Sequence, residues 1–312
     1  MKVAVTGASG FVGGAICRAL AGDGDEVLAF GRRGEVAPGH VGGAPYRSWD
    51  LRTGPLEDTP RVDAVVHCAG TVTDWGRAGE FFATNLRGTV NALASFPGTR
   101  FVHVSTASVY DPYRPTVMAT EGQAPVRRYI NAYGASKAAA ERAVLAAAAR
   151  RPAIVLRPHA VYGPGDTTLL PRVLSGVRGR ILPAVGDGTQ LISLTSVGNL
   201  VRACASALRA PVRAGVFNIT DAEPVTLDDA LRALLDERGL DVRPAYVPLR
   251  AAWPLASAIE GACLLAGTPT PPRLTRYAVG HLAVERTLDI SRARARLGFV
   301  PSTTSFTGAA LW

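Results

Sequence analysis

The chain is predicted to be an α/β protein, a doubly wound parallel sheet with a smaller C-terminal cap. Three observations carry that prediction. Short apolar runs alternate with helical stretches through roughly the first half. The first run ends in a glycine-rich turn, "TGASGFVG", that opens a helix. Beyond about residue 160, Pro and Gly break the chain into shorter, irregular segments.

The elements follow in order. "KVAVTG" (2–7) is a short apolar run ending in Gly and reads as a buried strand. Residues 9–24 carry Phe11, Val12, Ile16, Ala19 and Leu20 at helical spacing. "EVLAF" (26–30), "VDAVVHCAG" (62–70), "RFVHVSTASVY" (100–110) and "AIVLRP" (153–158) read as further strands. Helices are predicted over 80–95 and 134–150, the second alanine-rich and stopped before Pro152. Right-handed crossovers make the carboxyl ends of the strands the ligand edge. "GVFNIT" (215–220) is expected to return to the sheet, and 226–239 is a helix capped by Thr226 with acids in its first turn. The expected organisation is a dinucleotide-binding domain over 1–160, a returning segment near 193–220, and a substrate-binding cap over most of 161–312.

Composition narrows the function. Apolar residues make up 47%, enough for a sizeable core, and the 33 Gly and 22 Pro are not periodic, so the chain is neither collagen-like nor disordered. Cys17, Cys68, Cys204 and Cys263 form no CxxC pair; they read as reduced thiols of a cytoplasmic protein, with no metal site. No signal-peptide pattern precedes "VAVTGASG". The longest apolar stretch, 251–267, contains Pro254 and Glu260 and is read as a core or lid helix without stable membrane insertion. The net charge is +9, but the arginines are scattered, so no nucleic-acid partner is expected.

Gly7, Gly10 and Gly13 let a turn approach a pyrophosphate, and the helix N-terminus offers unpaired N–H groups from Ser9, Phe11, Val12 and their neighbours. This context gives a Rossmann-type fold. An acid at the end of the second strand would hold ribose hydroxyls, but that strand ends "AFGRRG". Gly31 leaves space, and Arg32 and Arg33 suit a 2′-phosphate, so NADP(H) is preferred over NAD(H). Asp50 and Leu51 of "WDL" are placed beside the adenine.

Tyr133 and Lys137 are four apart, so they share a helix face. Of the 34 basic residues only Lys2 and Lys137 are lysine. A compact ammonium can bond ribose hydroxyls and lower the phenol pKa, and arginine's planar fork is a poor replacement. Thr106, at the end of the 100–110 strand, is expected to hold a substrate oxygen in line with Tyr133, with Ser105 pointing away.

"TGASGFVG", "VVHCAG", "NLRGT", "VSTASVY", "YGASK" and "LRPHAVYGPGD" together resemble the landmarks of the extended short-chain dehydrogenase/reductase family. The resemblance covers about 1–220 and is fainter beyond. It implies a catalytic group of Thr106, Tyr133 and Lys137, with Asn85 near the cofactor. It places Cys68, Ala69 and Gly70 along the cofactor's far side, beside His67, itself read as a packed strand-end histidine. Pro158 and the backbone near it, His159 and Val161, would face the carboxamide. Ala107 and Ser108 follow Thr106 where a dehydratase carries acids. "GDGTQLISL" has Leu191 and Ile192 where sugar-nucleotide enzymes carry an arginine, though Arg172 or Arg180 could substitute.

Residues 71–85, "YGPGDTTLLP" and "LISLTSVGNL" resemble the 3β-hydroxysteroid dehydrogenase-like and ketoreductase branch. The expected substrate is an apolar carbonyl or alcohol, contacted by Trp75, Thr106, Tyr133, His159 and Ser193. Two alternatives stay open: His159 reaches substrate or only caps a turn, and Trp253, Leu255, Ile259, Leu264, Leu265 and Tyr277 meet substrate or only build the cap's core. A homodimer through helices 80–95 and 134–150 is also expected. An NDP-sugar 4-epimerase is the alternative function, and a non-catalytic NADP sensor is disfavoured by the intact Tyr-x-x-x-Lys.

Overall fold

A computed structural model of the chain describes residues 1–268 and 270–312. Seven strands form one parallel sheet: β1 Lys2–Thr6, β2 Glu26–Gly31, β3 Tyr46–Ser48, β4 Ala64–His67, β5 Arg100–Val104, β6 Ala153–Pro158 and β7 Ala214–Ile219. Their spatial order is β7-β6-β5-β4-β1-β2-β3. Four helices cover the two faces. These are α1 Phe11–Gly22, the rod α2 over 78–95, α3 Ala132–Ala146 and α4 Val197–Arg209. In α2, Ala78–Phe81 and Gly88–Ser95 are α-helical, and Phe82–Arg87 between them is wound as a π-turn.

The sheet is buried on both sides, so its strands carry apolar residues toward both faces. Val3, Val5, Val66, Val102 and Ile154 pack against Ile16, Leu20, Leu200 and Ala203 of α1 and α4. Ala4, Val65, Phe101 and Val155 face Ala92, Leu93 and Val144 of α2 and α3. Each fully buried Val, Leu, Ile or Phe side chain contributes about 1.5–3 kcal/mol relative to exposure.

One predicted strand is shorter than its sequence pattern. The run 100–110 leaves the sheet at Val104; Thr106, with φ −162°, caps the helical turn Ala107–Val109 by accepting from the Ser108 N–H. The edge strand Tyr46–Ser48 carries too little apolar pattern to be read beforehand.

The cap interleaves distant segments. A four-stranded sheet orders Val225–Thr226, Leu191–Ile192, Arg286–Leu288 and Thr116–Ala119, the last from the first half of the chain. A second pair joins Ile181–Val185 to Arg243–Val247. Thr226 caps Leu227–Glu237 as its sequence predicts, its Oγ1 accepting from the Asp229 N–H. The helix Leu249–Leu265 buries Ala252 and Ala256 against Val185, Val279 and Ala283. Leu255, Leu264 and Leu265 are exposed, so these three belong neither to the cap's core nor to an enclosed substrate pocket. No helix among the described residues is long and apolar enough to cross a membrane.

Among the described residues one ion pair is wholly buried. Arg157 of β6 donates from Nε to Glu141 Oε1 at 2.9 Å and from a terminal nitrogen to Oε2 at 2.7 Å, and its remaining donors reach the Glu121 and Ala124 carbonyls. Ser105 donates to Glu141 Oε1 at 2.5 Å, so it does point away from the cleft side occupied by Thr106. Removing one partner leaves an uncompensated buried charge. Arg157→Met is therefore expected to lower the urea unfolding free energy by about 3–5 kcal/mol; a loss below about 1 kcal/mol would mean that the Glu141 carboxylate reaches water or a new partner.

Candidate active site

The turn between β1 and α1 is built from close backbone approaches. Gly7 has φ +74°, and a Cβ there would lie 2.6 Å from the Ala69 nitrogen. A Cβ on Gly13 would lie 2.3 Å from the Gly7 carbonyl oxygen, so only glycine fits either place. No side chain caps α1 at Gly10. The first intrahelical bond, from the Gly14 N–H to the Gly10 carbonyl, is 2.9 Å, which leaves the Phe11, Val12 and Gly13 N–H groups without an intrahelical carbonyl. Such an end is an anion site, and a cradle that a Cβ would fill fits a dinucleotide pyrophosphate. Ser9 lies in the turn, and Phe11 comes within 3.5 Å of where a Cβ on Gly165 would be, across the cleft.

At the other end, Gly31 differs from its expected role. The space beside it is filled: a Cβ would meet Ser9 Oγ at 2.6 Å and Tyr46 Oη at 2.8 Å. Its glycine permits that packing; the space is not kept open for a phosphate. Arg32 and Arg33 are exposed, and neither joins an ion pair among the described residues. Asp50 is gripped by Arg52, whose Nε reaches Oδ1 at 2.9 Å and whose terminal nitrogen reaches Oδ2 at 2.6 Å; these bonds hold the Asp50 pKa down. Leu51 is buried in the core beside Trp49, with its carbonyl accepting from Asn91 at 2.6 Å.

The catalytic candidates converge at the carboxyl ends of β4, β5 and β6. Thr106 Oγ1 donates to Ser108 Oγ at 3.1 Å, and the Ser108 hydroxyl meets the Tyr277 hydroxyl at 2.7 Å. Tyr277 comes from the cap helix Arg276–Leu282, and its ring stands edge-on to Tyr133 with centroids 6.4 Å apart. Tyr133 itself is buried. Burial raises its pKa and the neighbouring Thr106 hydroxyl lowers it, with burial prevailing. Lys137, expected to lower the phenol, is not among the groups that shift it. The ammonium instead donates to the Val104 carbonyl at 2.7 Å, with His103 Nε2 at 3.5 Å. Burial pulls Lys137 down to about 8, with Glu141 and Cys68 opposing. A Cβ on Gly70 would be 4.0 Å from Lys137 Nζ, which puts the ammonium beneath the loop after β4. Cys68 and Ala69 open that loop, and Ala69 backs the glycine turn.

Asn85 lies within the π-turn of α2 and is buried. Its Oδ1 accepts from the Thr71 N–H at 2.8 Å and its Nδ2 donates to Ser136 Oγ at 2.9 Å, tying the loop after β4 to α3. His67 is a packed strand-end histidine: Nδ1 faces Thr6 Oγ1 at 2.7 Å and Nε2 faces Thr89 Oγ1 at 2.9 Å.

Three substrate candidates are otherwise engaged. His159 Nδ1 lies 2.6 Å from the Ser193 carbonyl and Nε2 lies 3.3 Å from His281 Nδ1, so the ring sits in a buried histidine pair. Ser193 is buried in the small sheet, where its hydroxyl accepts from the Leu288 N–H at 3.1 Å. Trp75 Nε1 donates to the Thr268 carbonyl at 2.9 Å. Pro158 ends β6, Val161 pairs with Thr195, and Ala160 between them holds φ +46°, a strained value for a non-glycine residue.

Sequence reasoning named Tyr277 and Arg172 as candidates but did not find the contacts that support the site. Tyr277, His103 and the clasp Asp74–Arg172–Thr275 are distant in sequence from what they touch. In that clasp Arg172 donates to Asp74 Oδ1 at 2.9 Å and to Thr275 Oγ1 at 3.2 Å, and Thr275 donates to Asp74 Oδ2 at 2.5 Å. Arg180 pairs with Asp241 on the surface. Glu141 alone left a signal, a buried-face acid one turn after Lys137 in an alanine-rich helix.

The profile of the NAD dependent epimerase/dehydratase family matches residues 3–220. The chain belongs to that family. Over its whole length it is similar to a 2-alkyl-3-oxoalkanoate reductase of Stenotrophomonas maltophilia (strain K279a), 30% identical with 97% of this chain and 96% of the relative covered. It is equally similar to a 4-hydroxy-2-methyl-3-oxo-4-farnesyl-3,4-dihydroquinoline-1-oxide ketoreductase of Stigmatella aurantiaca, 30% identical with 97% and 93% covered. Among solved structures it resembles MoeE5 in complex with UDP-glucose and NAD, with TM-score 0.71, 26% identity and 97% and 94% covered. These findings make it an NAD(P)-dependent enzyme of the extended short-chain dehydrogenase/reductase family, with a Rossmann-like sheet.

The buried histidines give the site an acid limit. Burial lowers His67 to about 3 and His159 to about 4, and drives His103 and His281 well below the ordinary value. Between those values and about 6.5 the unfolded chain binds more protons, so stability falls as pH falls. The urea midpoint is expected to decline from pH ~6.5 toward ~4, with each histidine adding a slope approaching ~1.4 kcal/mol per pH unit. His67→Asn should flatten that slope by about one proton; an unchanged slope would mean His67 is protonated in the fold.

Proposed function

We propose that the protein is an NADP(H)-dependent ketoreductase acting on an apolar 3-oxo acyl or related carbonyl compound. The observation that carries the reading is the meeting of Thr106 and Tyr133 above Lys137 at the sheet edge that holds the glycine turn. When bound, a reduced nicotinamide supplies a hydride to the carbonyl carbon. Thr106 holds the carbonyl oxygen, and Tyr133 donates its phenolic proton to the forming alkoxide. Burial keeps Tyr133 protonated at neutral pH, which suits it to the donor role. Lysine has three donors; two point to the Val104 carbonyl and His103, and the third suits a ribose hydroxyl.

The ketoreductase names of relatives aligned over nearly the whole chain support this substrate class. So does Ser108–Tyr277, a cap-borne hydroxyl contact where a dehydratase would need acids. The unpaired Arg32 and Arg33 favour NADP(H), and the exposed Phe82 and Val90 of α2 suit a homodimer. An NDP-sugar 4-epimerase is the second reading, favoured by the likeness to MoeE5. Against it, Arg172 is held by Asp74, and Leu191 and Ile192 stand where a diphosphate-binding arginine is usual.

Tyr133→Phe is expected to lose more than nine-tenths of kcat, ~1.4 kcal/mol of barrier or more, while cofactor Kd stays within about twofold. Retention of more than a tenth of kcat removes Tyr133 from the donor role. Arg32→Asp is expected to raise Kd for NADP(H) by about tenfold or more and leave that for NAD(H) unchanged; an unaltered preference contradicts the NADP reading. A large thermal shift with UDP-glucose would favour the epimerase.

A further inference from the structure

The catalytic apparatus accounts for Lys137 but not for the imidazole beneath it. His103 is wholly buried on β5, paired in register with His67 of β4 and stacked on it with ring centroids 5.3 Å apart. The two rings differ in their bonding. The Thr89 hydroxyl donates to the Asn85 carbonyl at 2.6 Å, so it accepts from His67 Nε2–H, and His67 Nδ1 then accepts from Thr6. Both nitrogens of His67 are satisfied. His103 has one partner, the Lys137 nitrogen at 3.5 Å from Nε2, and its Nδ1 is buried with no partner among the described residues. An ammonium only donates, so Nε2 accepts and the proton resides on Nδ1. A buried donor left unpaired is destabilising; a leucine would fill the place without that penalty.

We propose that His103 is a positioning residue for the catalytic lysine, accepting a hydrogen bond at Nε2 so that the ammonium stays charged and fixed between the Val104 carbonyl and the cofactor side of the cleft. The importance for turnover rests on the reading of Lys137 given above; the contact itself does not. The ammonium is faced by His103 and His67 from the sheet, Cys68 just after β4, and Glu141 from its own helix, with Arg157 pairing Glu141. His103 is the uncharged acceptor in that set that bonds the ammonium directly through a side chain. An acceptor stabilises the charged form, so its removal lowers the lysine pKa further. The charge is present below that pKa and lost above it.

The sequence makes this measurable, because Lys2 and Lys137 are the only lysines. Protein labelled with 15N-lysine gives two Nζ signals, and Lys137→Arg identifies the one of interest. Wild-type Lys137 is expected to titrate at about 8. His103→Met should move it down by about one pH unit, and His103→Gln, which keeps an acceptor, should return it to within a few tenths. No movement in His103→Met, or an equal fall in both variants, overturns the proposal. Independently of folding in any variant, 15N-histidine spectra of the wild type should show His103 protonated at Nδ1 and bare at Nε2; the opposite tautomer overturns it too. Neither readout uses turnover, so a failure here is distinct from a failure of Tyr133→Phe.

Discussion

A single ammonium buried at the carboxyl end of a parallel sheet constrains everything around it. Burial lowers the Lys137 pKa to about 8 and the Glu141 carboxylate opposes this, while the ammonium donates to the Val104 carbonyl with His103 Nε2 at 3.5 Å. Those partners come from β5 and α3, so the strand end and the helix must stand in fixed register. That register puts Thr106, the first hydroxyl beyond the strand on the cleft side, beside Tyr133 one turn before the lysine. The glycine turn needs the same register, since Gly7 can reach its position only by packing against Ala69 at the end of β4.

The cap is linked to this centre by polar contacts and by a small apolar cluster in which Leu288 and Ala119 of the small sheet pack with Ala107, Val109 and Ala138. Tyr277 bonds Ser108, Arg286 uses its guanidinium on the carbonyls of Asp111, Pro112, Arg114 and Gly280, and Thr275 joins the Asp74–Arg172 pair. Asp74 belongs to the loop after β4, so the segment that backs the glycine turn also anchors the cap.

The central sheet was legible in the sequence because both of its faces are buried, which leaves short, mostly apolar runs in β1, β4, β5 and β6. The half-exposed edge strand β3 and the two-residue strands of the cap leave no such run. The strand after Arg100 reads too long because Ser105 to Tyr110 still look extended and apolar; the side-chain cap by Thr106 that ends it is a local hydrogen bond with no periodic signature. Tyr133 and Lys137 were legible because four residues on a helix is a fixed geometry. His103, 34 positions away from the lysine it touches, and Tyr277, 169 away from Ser108, were not, because only the folded topology brings them together. The same reason explains Ser193 and His159: their motif positions are adjacent to the cleft, yet backbone partners from the small sheet occupy their polar atoms.

The most direct test concerns whether position 137 requires a compact cation facing a bound dinucleotide. Equilibrium NADPH binding, followed by nucleotide fluorescence, needs no knowledge of the carbonyl substrate. Wild-type protein should bind, and Lys137→Arg, which keeps the charge but not the point-like geometry, should bind about tenfold or more weakly, roughly one charge-assisted hydrogen bond. Equal affinity in the two proteins, or no binding by the wild type, would contradict the account.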